Sequence, residues 1–143
     1  MERVGECMRR HFVAVASTNS FREVETLMRS ARLRHVAVVD GPMLTGVVSY
    51  RDLLVDWLAR LEHELPAARA RRLAERTIGP LVVQPPEAVD PRATLAEAAS
   101  RMSALGLGCL PVVEADGTGL RVIGILAESD LLAAAFGARS GPR

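Results

Sequence analysis

Apolar residues recur with a helical period in two segments, and each segment begins at a hydroxyl residue. Ser20 precedes the first and Thr94 the second, with glutamates three positions later at Glu23 and Glu97. This spacing predicts a capping box, in which the hydroxyl accepts from the glutamate N–H and the glutamate carboxylate accepts from the N–H of the hydroxyl residue. Two amphipathic helices are therefore predicted. Their apolar faces would be Phe21, Val24, Leu27, Met28 and Ala31, and Leu95, Ala98, Ala99, Met102 and Leu105.

Short apolar runs after these helices predict strands. Residues 36–39 and 110–113 form one pair of runs, and residues 44–49 and 121–127 form another after turns that contain glycine. Their near-continuous apolar character is typical of strands covered on both faces. A helix is expected to follow over residues 50–64. Its broad apolar stripe would be Leu53, Leu54, Trp57, Leu58 and Leu61.

The chain carries this pattern twice. Residues 35–40 return as residues 109–114, 74 positions later, and residues 46–54 return as residues 124–132, 78 positions later. Both copies end in glycine, two apolar residues, serine or alanine, two variable residues and then Asp-Leu-Leu. Each copy therefore predicts strand, helix, strand, strand, helix, and each would carry one copy of a related site.

The two copies set the expected domain organisation. We expect the first repeat at residues 1–65 and the second at residues 78–137, joined by a helical connector at residues 66–77. Residues 138–143 are expected to be a flexible tail.

Each copy resembles a CBS domain, the small unit named for cystathionine β-synthase. The resemblance depends on Val-Val-Asp and Pro-Val-Val-Glu in the middle strands, on the turns that lead to Gly46 and Gly124, and on Asp-Leu-Leu in both copies. The whole chain resembles a stand-alone tandem pair, or Bateman module. The resemblance implies an α/β (α+β) fold of two βαββα repeats packed with pseudo-twofold symmetry. It also implies clefts between the copies that bind adenosine-containing ligands, dimerisation through helices, and a regulatory, non-catalytic role.

Composition restricts the other classes of function. Hydrophobic residues make up 49% of the 143 residues, enough for a sizeable core. No apolar run approaches the roughly 20 residues that span a bilayer, and the first residues do not resemble a signal peptide, so we expect a cytoplasmic protein without membrane contact. Cys7 and Cys109 are too few for a disulfide framework or a metal clamp, and the three histidines lack metal-binding spacing. We therefore expect no metal and no cofactor.

Nucleic acid is not an expected partner. The net charge is only +1, and aromatic residues make up 3% of the chain. The arginine-rich residues 69–76 would suit a nucleic-acid surface, but a solvated helical connector gives the same pattern and is the preferred interpretation. No set of residues supplies a nucleophile with its base, so catalysis is not expected.

Ser49 and Asp52 are the main candidate site. Ser49 ends a predicted strand and Asp52 lies one turn into the next helix, so a hydroxyl, a carboxylate and free helix N–H groups would converge there. A carboxylate can accept from both ribose hydroxyls, the helix start suits a phosphate, and Arg51 could neutralise it. The alternative is purely structural: Ser49 caps the helix, and Asp52 completes a capping box with it.

The strand before this site would line it. Val36 and Ala37 are expected to flank a purine, and His35, at the start of that strand, is expected to line or edge the cleft.

The second copy is the poorer site. Asp130 could still hold a ribose, and Pro111 lies in the strand that matches the purine-flanking strand of the first copy. However, Ala127 replaces the hydroxyl, and Glu128 adds negative charge where a phosphate would lie. We expect the first copy to bind nucleotide phosphates better, and the second to take an uncharged adenosyl group or nothing.

The leading hypothesis is a sensor that binds AMP, ADP, ATP or S-adenosylmethionine and signals, as a homodimer, to an effector protein of unknown identity. The alternative is a ligand-free dimerisation or protein-interaction module with vestigial clefts, whose surface includes Trp57 and Phe136.

Overall fold

The chain folds into a mixed α/β structure. The structure, a computed structural model, describes residues 2–61, 65–83 and 86–137. Within these residues there are six α-helices, five strands and a 3-10 turn at Gly79–Leu81. In chain order the helices and strands are α1 (Val4–Cys7), β1 (Ala14–Val15), α2 (Phe21–Ala31), β2 (His35–Asp40), β3 (Met43–Ser49), α3 (Tyr50–Leu61), α4 (Pro66–Glu75), α5 (Leu95–Leu105), β4 (Cys109–Ala115), β5 (Leu120–Ala127) and α6 (Glu128–Phe136).

The hydroxyl residues begin α2 and α5 as expected. Thr94 forms the complete capping box, because its Oγ1 accepts from the Glu97 N–H at 3.1 Å and its own N–H donates to Glu97 Oε2 at 2.9 Å. Ser20 Oγ accepts from the Glu23 N–H at 3.1 Å. The Glu23 carboxylate, however, accepts from the Ser20 hydroxyl and from the Asn19 side-chain amide. At the start of α2 these two side-chain bonds therefore take the place of the predicted bond from the Ser20 N–H to the Glu23 carboxylate.

The chain divides into two compact units. One, here called the β2 unit, comprises Ala14–Asp40 and Thr45–Pro86. In it β1 runs parallel to β2, with Ala14 opposite Ala37 and Val15 opposite Val38, and β3 is the next strand after β2. Helix α2 packs against α3 and α4. Its buried core is Val15, Phe21, Val24, Met28, Val36, Val38, Val48, Leu53 and Ile78.

The other unit, here called the β4 unit, comprises the described residues among 1–13, 41–44 and 87–143. In it β4 and β5 are antiparallel, with Cys109 opposite Ala127 and Leu110 opposite Leu126. Met43 pairs with Arg121 of β5. Its buried core is Val4, Cys7, Met8, Val89, Ala98, Met102, Leu110, Val112 and Leu126.

Each unit contains a short segment from the other sequence repeat, here called an arm. Residues 4–9 form one arm, which lies against β5 in the β4 unit: the Arg9 N–H donates to the Ile125 carbonyl at 2.8 Å. Residues 78–83 form the other, 74 positions later in the sequence, and the Val83 N–H donates to the Val47 carbonyl at 3.2 Å in the β2 unit. The two compact units therefore contain different residues from the two repeats expected at 1–65 and 78–137. The boundaries of those repeats stay a prediction.

Two glycines allow the arms to cross the strands closely. A Cβ on Gly46 would meet Val82 Cγ1 and would lie 2.7 Å from the Val83 carbonyl oxygen. A Cβ on Gly124 would lie 2.7 Å from Met8 Sδ and 2.9 Å from the Arg9 carbonyl oxygen. Both contacts are shorter than a side chain tolerates, so both sites require glycine.

The secondary structure differs from the expectation at two points. The first strand of the second copy is reduced to one parallel bridge between Val89 and Val112, and Pro91, two residues further on, has no N–H for a ladder. The helix expected over residues 50–64 is described as far as Leu61. Residues 62–64, with His63, and the expected tail at 138–143 lie outside the described residues.

The connector forms the predicted helix, α4. Just after it, Arg76 pairs with the Asp56 carboxylate, and its guanidinium lies 4.8 Å from the centre of the Phe21 ring. No helix among the described residues has the length and apolar character to cross a membrane.

Candidate functional site

Ser49 is the last residue of β3 and caps α3. Its Oγ accepts from the Asp52 N–H at 3.0 Å. The Tyr50 N–H also has an acceptor, the Arg34 carbonyl at 2.7 Å. The expectation of several free N–H groups at this helix start is therefore wrong, because within the described residues only the Arg51 amide of the first turn lacks an acceptor.

The Asp52 carboxylate lies beside this cap and is half-buried. Within the described part of the chain it makes no hydrogen bond and no salt bridge. The second half of the capping box, a carboxylate bond to the Ser49 N–H, is accordingly not formed there. Of the two interpretations of this motif, the structure shows the Ser49 cap and leaves the carboxylate unengaged.

The matching carboxylate in the second copy is fully engaged. Asp130 is only 6% exposed. Its Oδ2 accepts from the Ala127 N–H at 2.9 Å, and its Oδ1 accepts from Arg9 Nε at 3.0 Å. Arg9 Nη2 also donates to Ser129 Oγ at 3.1 Å.

The two copies thus keep opposite halves of one cap. In the first copy the Ser49 hydroxyl accepts from the Asp52 N–H. In the second copy, which has alanine in place of the serine, the Asp130 carboxylate accepts from the Ala127 N–H. The backbone around them is conserved between copies, since the Glu128 N–H donates to the Gly108 carbonyl at 3.0 Å, as Tyr50 does to Arg34. Where alanine stands in place of the serine, the aspartate side chain takes over the capping role.

Glu128 brings negative charge to the second copy, as the sequence indicated. It is exposed at the start of α6. Burial raises the pKa of the Cys109 thiol to about 11, and the Glu128 carboxylate adds to the rise. The nearby Cys109 is therefore a protonated, structural thiol at neutral pH rather than a reactive one.

The strand residues predicted to flank a purine are largely covered. Val36 is 2% exposed and lies in the core of the β2 unit. Ala37 is also buried, as is Pro111 of β4. His35 is half-buried at the start of β2. Their roles in binding stay a prediction.

Two features escaped the sequence analysis. The first is Arg9, which pairs with Asp130. The sequence offers one indication of a special role for Arg9: the equivalent position in the second copy is Val83, which carries no charge. The other is a cavity of about 540 Å³ between α2, α3 and α4. Its walls include Phe21, Tyr50, Leu53, Trp57 and Leu73. The wide apolar stripe of α3 predicted more than one neighbour for this helix but not a hollow.

Comparison with known proteins decides the family. The CBS domain family model matches residues 4–56 and 78–137. The chain belongs to the CBS domain family. It carries two CBS domains in tandem, in agreement with the resemblance seen in the sequence. A search of curated proteins found no significant match.

Solved structures of CBS pairs are similar over almost the whole length. An acetoin utilization protein (AcuB) from Vibrio cholerae is 30% identical with a TM-score of 0.78, over 96% of this chain and 93% of that one. CBSX2 in complex with AMP is 27% identical with a TM-score of 0.76, over 96% and 98%; CBSX2 is from Arabidopsis thaliana. The CBS pair of MJ0100, in complex with 5′-methylthioadenosine and S-adenosyl-L-methionine, is 18% identical with a TM-score of 0.74, over 97% and 99%, and shows the fold alone.

Proposed function

We propose that this CBS pair is a non-catalytic regulatory module that binds an adenine nucleotide at Ser49 and Asp52 and signals to a partner protein. The observation that carries the proposal is the Asp52 carboxylate, which is half-buried and unengaged within the described residues beside a capped helix start. The AMP complex of CBSX2 supports the class of ligand. The partner and the cytoplasmic location stay predictions.

The chemistry of the site suits a ribose and one phosphate. The two oxygens of Asp52 match the adjacent hydroxyl donors of a ribose, and each such charge-assisted bond contributes about 1.5–3 kcal/mol. Ser49 Oγ accepts from the backbone, so its own hydroxyl hydrogen remains for a phosphate oxygen. The Arg51 amide and the exposed Arg51 guanidinium supply further donors. Binding changes the signal only as far as the ligand prefers one conformation of the pair over another.

Calorimetry with AMP, ADP, ATP and S-adenosylmethionine tests the proposal. Asp52→Ala removes both carboxylate oxygens, and the loss of even one charge-assisted bond should weaken the binding of AMP by about 10- to 150-fold. Asp40→Ala is the matched control, because Asp40 is an exposed aspartate at the end of β2 and its removal should leave binding unchanged. Equal affinity of Asp52→Ala and the wild type would contradict the assignment of the site.

A second candidate function is a dimerisation module without a ligand. It is favoured by large apolar side chains that α3 exposes at Leu54, Val55 and Leu58, and by Phe136 of α6, which is 81% exposed. Such a module would form a dimer in sedimentation that Val55→Glu weakens, and no adenosyl compound would shift its melting temperature. A homodimer is also expected of the sensor, so the thermal shift is the measurement that separates the two candidates.

A further inference from the structure

The two related sites differ in what their carboxylates contact. In the β2 unit the Asp52 side chain makes no polar contact within the described residues, and the arm beside β3 carries Val83. In the β4 unit the arm beside β5 carries Arg9 at the equivalent position, and the Arg9 guanidinium forms a salt bridge with Asp130. The same fold position thus presents an uncharged side chain in one copy and a cation in the other.

Each oxygen of the Asp130 carboxylate already accepts one hydrogen bond. Oδ1 takes Arg9 Nε, and Oδ2 takes the Ala127 N–H. A carboxylate oxygen can accept a second bond, but a ribose hydroxyl that approached Oδ1 would compete there with the guanidinium of Arg9. Neutral hydroxyl donors bind a carboxylate less strongly than a guanidinium does, so displacement of Arg9 from this buried carboxylate is unfavourable.

Arg9 itself is held but not buried. Its side chain is 48% exposed, and its second contact is the Ser129 hydroxyl at 3.1 Å. The guanidinium therefore has two acceptors, Asp130 Oδ1 and Ser129 Oγ, and is partly open to solvent. Removal of this side chain would expose one oxygen of Asp130 and leave the capping bond to Ala127 in place.

We propose that the Arg9 guanidinium binds the Asp130 carboxylate in the place that ligand hydroxyls would take. The chain's own arm thereby closes the second site, and each chain binds one adenosyl ligand. This rests on the proposed function in that it takes adenosyl compounds as the ligand class. It assigns to Arg9 a competitive role that Val83, at the equivalent position of the arm beside β3, cannot have because its side chain carries no charge.

The test is the number of AMP and adenosine molecules bound per chain, measured by calorimetry. Arg9→Val introduces the residue type found at the equivalent position of the other arm, Val83, and Arg9→Gln keeps a long polar side chain without the charge. Arg10→Ala is the matched control, since it removes an exposed neighbouring arginine. Each Arg9 variant is also made with Asp52→Ala, which weakens binding at the first site. Circular dichroism confirms folding, and if Arg9→Val is unfolded the comparison is made with Arg9→Gln.

The expected result is one ligand per wild-type chain, binding weakened about tenfold or more for Asp52→Ala, and a gain in the binding of adenosine when Arg9→Val or Arg9→Gln is added to Asp52→Ala. The gain in affinity at the second site should be about tenfold or more, the value of one charge-assisted bond. Arg10→Ala should give no gain.

The outcomes separate this inference from the proposed function. Binding by the wild type with no gain in either Arg9 variant overturns the inference alone, and Arg9 is then only an anchor for the arm. Two ligands per wild-type chain also overturn it. Binding by the Arg9 variants but not by the wild type refutes the site at Ser49 and Asp52 and supports the inference. No binding by any variant overturns both.

Discussion

The close crossing of an arm over β3 at Gly46 predicts that even one added methyl group disturbs the fold. In Gly46→Ala the new Cβ would meet Val82 Cγ1 and would approach the Val83 carbonyl oxygen to 2.7 Å. The backbone oxygen cannot rotate away as the end of a flexible side chain can. The arm would therefore have to move from β3, and the bond from the Val83 N–H to the Val47 carbonyl would weaken.

The magnitude follows from two opposing terms. Overpacking of this kind costs about 1–3 kcal/mol, and replacement of glycine by alanine returns up to about 1 kcal/mol because the unfolded chain loses entropy. We expect a net loss of about 1–2 kcal/mol in the free energy of unfolding. At about 2–4 °C per kcal/mol, the melting temperature should fall by roughly 2–8 °C.

Urea unfolding followed by circular dichroism measures this loss, with Gly119→Ala as the matched control. A Cβ on Gly119 would meet only the flexible end of Met43, Cε at 3.0 Å, so its effect should stay within about 0.5 kcal/mol. Hydrogen exchange should also show reduced protection of the Val83 amide in Gly46→Ala. If Gly46→Ala were no less stable than Gly119→Ala, the close crossing of arm and strand would be refuted.

Two further predictions concern the ends of the strands. Ser49→Ala should lower the free energy of unfolding by about 0.5–2 kcal/mol, because the Asp52 N–H loses its cap; Ser49→Thr should retain most of the stability, and an unchanged urea midpoint for the alanine variant would count against the cap. For Cys109, the folded-state pKa of about 11 lies above the ordinary value of 9.0, so the folded chain keeps the proton longer and stability should be lost as pH rises from 9 to 11. Urea midpoints at pH 8 and pH 10.5 should show this loss and Cys109→Ala should reduce it, whereas an equal loss in the variant would assign it to other groups.

Local signals in the sequence predicted most of the elements. Ser20 and Thr94 mark the starts of α2 and α5, since a cap depends on neighbours three residues away. The same spacing could not distinguish the two interpretations of Ser49 and Asp52, because a cap and a ligand site require the same residues at the same places. Only the geometry shows that the hydroxyl is used by the backbone and that the carboxylate is not.

Contacts between distant residues could not be predicted in this way. Arg9 and Asp130 are 121 residues apart, and no periodicity relates one to the other. The equivalence of Met8 with Val82 and of Arg9 with Val83 is visible in the numbering, but it does not say which strand each arm crosses. The role of Arg9 is therefore a property of the tertiary structure alone.

The placement of the arms has a consequence for the order of events during synthesis on the ribosome. The β2 unit draws on a nearly continuous stretch that ends at Pro86, so all of its parts have been synthesised before β4 and β5 are made. The β4 unit cannot close until Ile125 has been made, because the backbone of Arg9 pairs with it. Until then the arm at residues 4–9, with the apolar Val4 and Met8, lacks the strand that covers it in the folded unit. During that interval these apolar side chains are exposed, and a chaperone could bind them.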